Sequence, residues 1–161
     1  MGDRRPLRQS GRRLTLGYVG RIGDETAPQN EADRLARQFI ECFTAGDREA
    51  WLRMLAPNQV TRDHRPLVGV DTDGIDELAN LYPRDRTTRG MASAVETIAV
   101  RGQRLVLLRW RAVSGSGREW ESLHLNRWTV EGLNDLNLIF PTDQLAEALA
   151  KLDTLGRAEQ G

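Results

Sequence analysis

Between residues 93 and 140 the chain alternates apolar and polar residues in four successive runs, and this pattern restricts the fold most. The runs cover 93–100, 104–113, 119–130 and 133–140. Arg101-Gly102-Gln103, Ser114-Gly115-Ser116-Gly117 and Glu131-Gly132 separate them, each carrying the glycine that tight turns need. Short strands joined by short turns pair antiparallel with their sequence neighbours. The segment is therefore expected to form a four-stranded meander.

The residues before it repeat with a helical period. Ala32, Leu35, Ala36, Phe39, Ile40 and Phe43 make one apolar stripe, with Asn30 placed to cap it and Asp33 three residues on. Gly46 stops this helix and Asp47 caps a second one, whose buried side is Trp51, Leu52 and Leu55 and which Pro57 ends. Residues 60–63 read as a short strand. Ile75, Leu78, Ala79 and Tyr82 define a third helix stopped by Pro83, and residues 83–93 read as a polar loop. Leu145, Ala148, Leu149 and Leu152 define a last helix. Helices first and a meander afterwards argue an α+β fold.

The 161 residues suit one domain, assigned to 29–156, with a basic arm or linker at 1–28 and a tail at 157–161. Net charge is zero but unevenly spread. Residues 1–21 hold six of the 23 basic residues and one of the 23 acids, leaving 17 basic against 22 acidic residues, a net of −5, in the remainder. Within the arm, 14–19 could form a strand lying on the body. No aromatic interleaving accompanies the arginines, so nucleic-acid binding is not expected of them. Lys151 is the sole lysine, an arginine bias that fits GC-rich bacterial coding better than chemistry. No apolar run reaches membrane-span length, no apolar signal segment opens the chain, and Cys42 is the single cysteine. A cytoplasmic protein is expected, with Cys42 a small buried hydrophobe. Two distant histidines and one cysteine lack ligand spacing, so neither metal nor other cofactor is expected.

The residues with chemistry fall in two places. The first is Asp63-His64-Arg65-Pro66, between the second and third helices. Adjacent strand residues point to opposite faces, so Asp63 and His64 do not form a dyad. Either one, if it faces inward, is a candidate acid or base, with His124 as a further candidate. Arg65 is read as the salt-bridge partner of Asp63 and as a candidate ligand contact. The second place is the strand 119–130, where Trp120, Ser122, His124, Asn126 and Trp128 share one face and Leu123 and Leu125 the other. Aromatic walls with a few polar groups suit a ligand pocket. Equally, Leu123 and Leu125 could face the core and the tryptophans a surface. Trp110, on the face opposite Arg109 and Arg111, and Tyr82 complete the ligand-binding candidates.

Asp63-His64-Arg65-Pro66 after a helix pair, with Leu138-Ile139-Phe140 followed by Asp143-Gln144-Leu145, resembles the SnoaL-like branch of the NTF2-like superfamily over residues 30 to 155. Pro141-Thr142 replaces the family's Asp-Pro after the phenylalanine. The resemblance implies a curved antiparallel sheet with N-terminal helices and a C-terminal helix enclosing a pocket. A homodimer and a small hydrophobic ligand are expected. The superfamily includes polyketide cyclases, isomerases and non-catalytic modules, so fold alone does not name a reaction. Its epoxide hydrolases use an Asp-Arg-Asp set, whereas the matching strand here offers Arg109 and Arg111 without a carboxylate. Its steroid isomerases use a tyrosine and a protonated acid, yet Tyr18 and Tyr82, the two tyrosines, lie off the pocket strands.

Two functions are carried forward. One is a binding module for a small hydrophobic molecule or a partner, belonging with a larger regulatory protein. The other is a cofactor-free cyclase, isomerase or hydrolase for a polyketide-like or terpenoid-like substrate, working through Asp63 or His64.

Overall fold

A computed structural model describes residues 29–67, 69–81 and 91–161. The arm at 1–28, its strand reading at 14–19, Tyr82 and most of the loop at 83–93 lie outside the described residues. Helix α1 spans Glu31–Thr44 and α2 spans Arg48–Arg53. Strand β1 (Leu55–Asp63) and the short β2 (Asp71–Asp73) precede α3 (Ile75–Leu81). Strands β3 (Ala92–Arg101), β4 (Leu105–Val113), β5 (Glu119–Trp128) and β6 (Asn134–Phe140) follow, then α4 (Leu145–Gln160).

One curved six-stranded sheet of order β2-β1-β6-β5-β4-β3 carries the fold. The meander β3–β6 is antiparallel throughout, as its turns require. The sheet as a whole is mixed, because β1 joins β6 in parallel, Thr61 facing Asn137 and Asp63 facing Ile139. Register shifts on β1, β3 and β5 mark bulges, which bend a sheet. Leu55 belongs to β1 rather than to the second helix, and Pro57 lies inside that strand. Proline is tolerated there because β1 has no regular partner register between Leu55 and Val60.

Both sheet faces are covered, which settles the ambiguity at Leu123 and Leu125. These two, with Leu105, Leu107, Leu138 and Phe140, meet Ala148 and Leu152 of α4. On the other face, Val106, Leu108 and Trp128 meet Ala32, Leu35 and Ala36 of α1. Two-sided burial explains the unbroken apolar run Leu105-Val106-Leu107-Leu108, all fully buried. Asn30 caps α1, its side chain accepting from Asp33 N at 2.7 Å while its amide donates to Gly102 O and Leu105 O. One asparagine thus ties the helix start to the β3–β4 turn. With Pro141-Thr142 after Phe140, α4 is entered through a 3₁₀ turn at Thr142–Gln144 with no side-chain cap. It continues to Gln160, through most of the residues assigned from sequence to a tail.

Candidate functional site

A cavity of about 320 Å³ lies between α1–α3 and the inner face of the sheet. Phe39, Ile40 and Phe43 enter it from the far end of the α1 stripe, beyond the part that packs on the sheet. Trp51 of α2, Leu78 of α3, Val70, Trp110 and Ile139 complete the apolar wall. The polar end is built by strand register. Asp63 and His124 both neighbour Ile139, one from each side, and Asn126 faces Asn137. Thr61, Asp63, Arg65, His124, Asn126 and Asn137 therefore meet on one face. Below them Gln59 donates to Thr61 Oγ1 at 2.9 Å and to Asn134 Oδ1 at 3.2 Å, a buried network that anchors β1 beside β6.

Asp63 is held by its neighbour two residues on. Arg65 Nε donates to Oδ1 at 2.9 Å and Nη2 to Oδ2 at 2.6 Å, while Arg65 N donates to Oδ1 at 3.0 Å. The carboxylate side chain is 1 % exposed and the guanidinium 26 %. A planar fork matched to a carboxylate gives two parallel charge-assisted bonds. Asp63 faces the cavity region, but both its oxygens are committed and only the arginine side of the pair is open.

His124 contributes a ring to the wall. Its Nε2 lies 2.8 Å from Ser122 Oγ, and Trp110 packs edge-on at 5.4 Å. Desolvation by the surrounding protein, followed by the Arg65 charge, lowers its pKa from 6.5 to about 4, with Asn137 and Asp63 partly opposing them. The imidazole is thus neutral at neutral pH. Ser122 is fully buried, so this serine–histidine contact presents no nucleophile to the cavity.

The remaining sequence candidates separate. His64 points to the other side of the sheet and stacks on Phe140 at 4.8 Å, as the adjacency with Asp63 requires. Trp120 and Trp128 do share the inner face with His124, but the cavity lining does not include them. Trp128 is floor beneath α1, edge-on to Phe39 at 5.7 Å, and Trp120 backs Trp110 at 6.4 Å. Arg109 and Arg111 lie on the opposite face and pair with Glu121, and Arg109 also with Glu96. Sequence reading missed Phe39, Ile40, Phe43, Trp51 and Asn137 as lining residues. The available signals were an α1 stripe longer than the sheet needs and a lone asparagine within the apolar run of β6. No group of three or more His, Cys, Asp or Glu among the described residues is placed to hold a metal. Among these residues no helix is long and apolar enough to cross a membrane.

Solved structures share this architecture. A Δ5-3-ketosteroid isomerase from Mycobacterium sp. superposes with a TM-score of 0.55 at 18 % identity, over 71 % of this chain and 95 % of that one. A Mycobacterium tuberculosis protein in complex with estradiol-17β-hemisuccinate gives 0.54 at 17 %, over 71 % and 97 %. An NTF2-like protein from Burkholderia pseudomallei gives 0.53 at 21 %, over 74 % and 98 %. No family model matches the chain, and no curated protein matches it. The fold is NTF2-like.

Proposed function

We propose that this domain is a binding module for a small, largely apolar molecule that lodges between α1 and the sheet. One observation carries the reading: an apolar-walled cavity of about 320 Å³ whose single lining carboxylate is already paired. That volume lies at the lower end of drug-sized ligand sites, roughly 300–1,000 Å³. A general base needs an available lone pair and a path to the substrate. Asp63 is enclosed by Arg65, and His64 is turned away. The fold neighbours include a steroid isomerase and a protein solved with an estradiol ester, which supports a polycyclic ligand of that general size here. A cytoplasmic homodimer belonging with a regulatory protein is part of the same reading, and light scattering tests its subunit number.

Trp51 and Trp110 line the cavity, so ligand entry changes their fluorescence. A panel of hydrophobic acids, phenols and polycyclic ketones should give saturable changes without product. The cyclase, isomerase or hydrolase alternative predicts product formation that Asp63→Asn reduces by about 10²-fold or more, the scale of losing a general acid or base. Turnover with that loss overturns the binding-module reading. His64→Ala should alter neither binding nor turnover.

A further inference from the structure

The end group of the ligand follows from the hydrogen-bond accounting at the polar end of the cavity, given the apolar-ligand reading above. Thr61 Oγ1 is engaged with Gln59 in both directions. Asp63 accepts three bonds from Arg65 and is closed off. Arg65 spends Nε and one Nη2 hydrogen on it, and Nη1 makes no bond among the described residues. Asn137 Oδ1 accepts from Asn126 at 2.9 Å, and the Asn137 amide hydrogens make no hydrogen bond among those residues. Asn126, whose carbonyl oxygen is the remaining acceptor, is itself buried. Donors are in excess.

Charge narrows the choice. The Arg65 charge is already balanced by Asp63, so a ligand carboxylate would stand within a few ångströms of an existing anion in a partly desolvated site. Like charges there repel strongly. An ammonium would meet the guanidinium. Among the described residues a hydroxyl donor finds one acceptor, the carbonyl oxygen of the buried Asn126, against several open donors. We propose that the ligand is an uncharged carbonyl compound, a ketone, quinone or lactone on an apolar ring skeleton, whose oxygen accepts from Arg65 Nη1 and the Asn137 amide.

The test uses three probes of one skeleton: 2-acetylnaphthalene, 2-naphthol and 2-naphthoate, titrated into the full chain at pH 7.5 by calorimetry. The ketone should bind about tenfold tighter than either, the worth of one well-made hydrogen bond. Asn137→Leu should cost the ketone about tenfold by the same measure and leave the other two little changed. The pair Asp63→Asn/Arg65→Met removes both charges together, so no unpaired charge is left buried, and should also abolish the ketone's advantage. If naphthoate or naphthol binds as tightly as the ketone, the carbonyl assignment is overturned while the apolar pocket stands. If none of the three binds, the pocket reading itself falls, and the assignment with it.

Discussion

Arg65 grips both carboxylate oxygens of Asp63 from only two residues away, and its own backbone N–H adds a third bond to the same group. This closes the corner after β1 as a small ring of charge-assisted bonds, with Leu67 beyond it in the left-handed region at φ 68°. Arg65→Ala leaves a carboxylate with a 1 % exposed side chain unpaired. The expected cost is about 3 kcal/mol, the lower end for breaking a buried pair, because the guanidinium keeps some solvent contact. Asp63→Asn/Arg65→Ala should recover part of that loss. Denaturant midpoints of the three proteins decide it; a single-variant cost under about 1 kcal/mol would make the pair a surface feature.

His124 gives the stability a pH dependence. Its pKa is lowered in the folded protein, from 6.5 to about 4. Between these values the unfolded chain binds more protons than the folded one, so stability falls as pH drops through this window and is flat, for this group, above it. The full effect is roughly 3–4 kcal/mol from a shift of this size. Unfolding midpoints measured from pH 4 to 8 should slope below about 6.5, and that part of the slope should be missing in His124→Gln. An unchanged slope would assign the dependence to other groups.

Asn30 does more than cap. Its side chain accepts from Asp33 N and donates to two carbonyls of the β3–β4 region. Asn30→Ala removes the cap, worth about 1 kcal/mol, and leaves the Gly102 and Leu105 carbonyls without that donor. The combined loss should exceed that of an ordinary cap, reaching about 2 kcal/mol or more. Asn30→Asp restores the acceptor alone and should recover only the cap's share of the denaturation free energy.

Phe39 joins cavity and core. Its ring packs at 5.4 Å from Trp51 and 5.7 Å from Trp128 while also lining the cavity. Phe39→Ala should destabilise by about 3 kcal/mol, the low end for a large aromatic, since one side of the ring already borders empty space. The same variant enlarges the site, so binding of a small probe should weaken as well. A full 5 kcal/mol, the upper end of that range, would mean the ring is enclosed on every side.

The α1 stripe, the capping by Asn30 and Asp47, and the four meander strands to within two residues at each end were legible from local patterns. Each depends on neighbours in sequence, through 3.6- and 2-residue periods and turn glycines. That Asp63 and His64 face opposite ways was legible for the same reason. β2 was not: a three-residue strand of Asp71-Thr72-Asp73 has no apolar period and exists through pairing with β1.

Alternation along β5 placed Trp120, His124, Asn126 and Trp128 on one face, but not which of them would meet empty space. That depended on where α1 crosses the sheet. The helix covers Trp128 with Phe39 and leaves His124 and Asn126 open to the cavity. Likewise Asn137 became a site residue because β6 pairs with β5 in one particular register. The parallel contact of β1 with β6 carried Asp63 and Arg65 to the same end. Periodicity assigns a residue to a face; only the packing of distant elements decides whether that face meets a helix, solvent or a cavity. The sequence alone therefore determined the elements other than β2, the alternation of their side chains and the local pair of Asp63 with Arg65, while the pocket and its polar end belong to the tertiary structure.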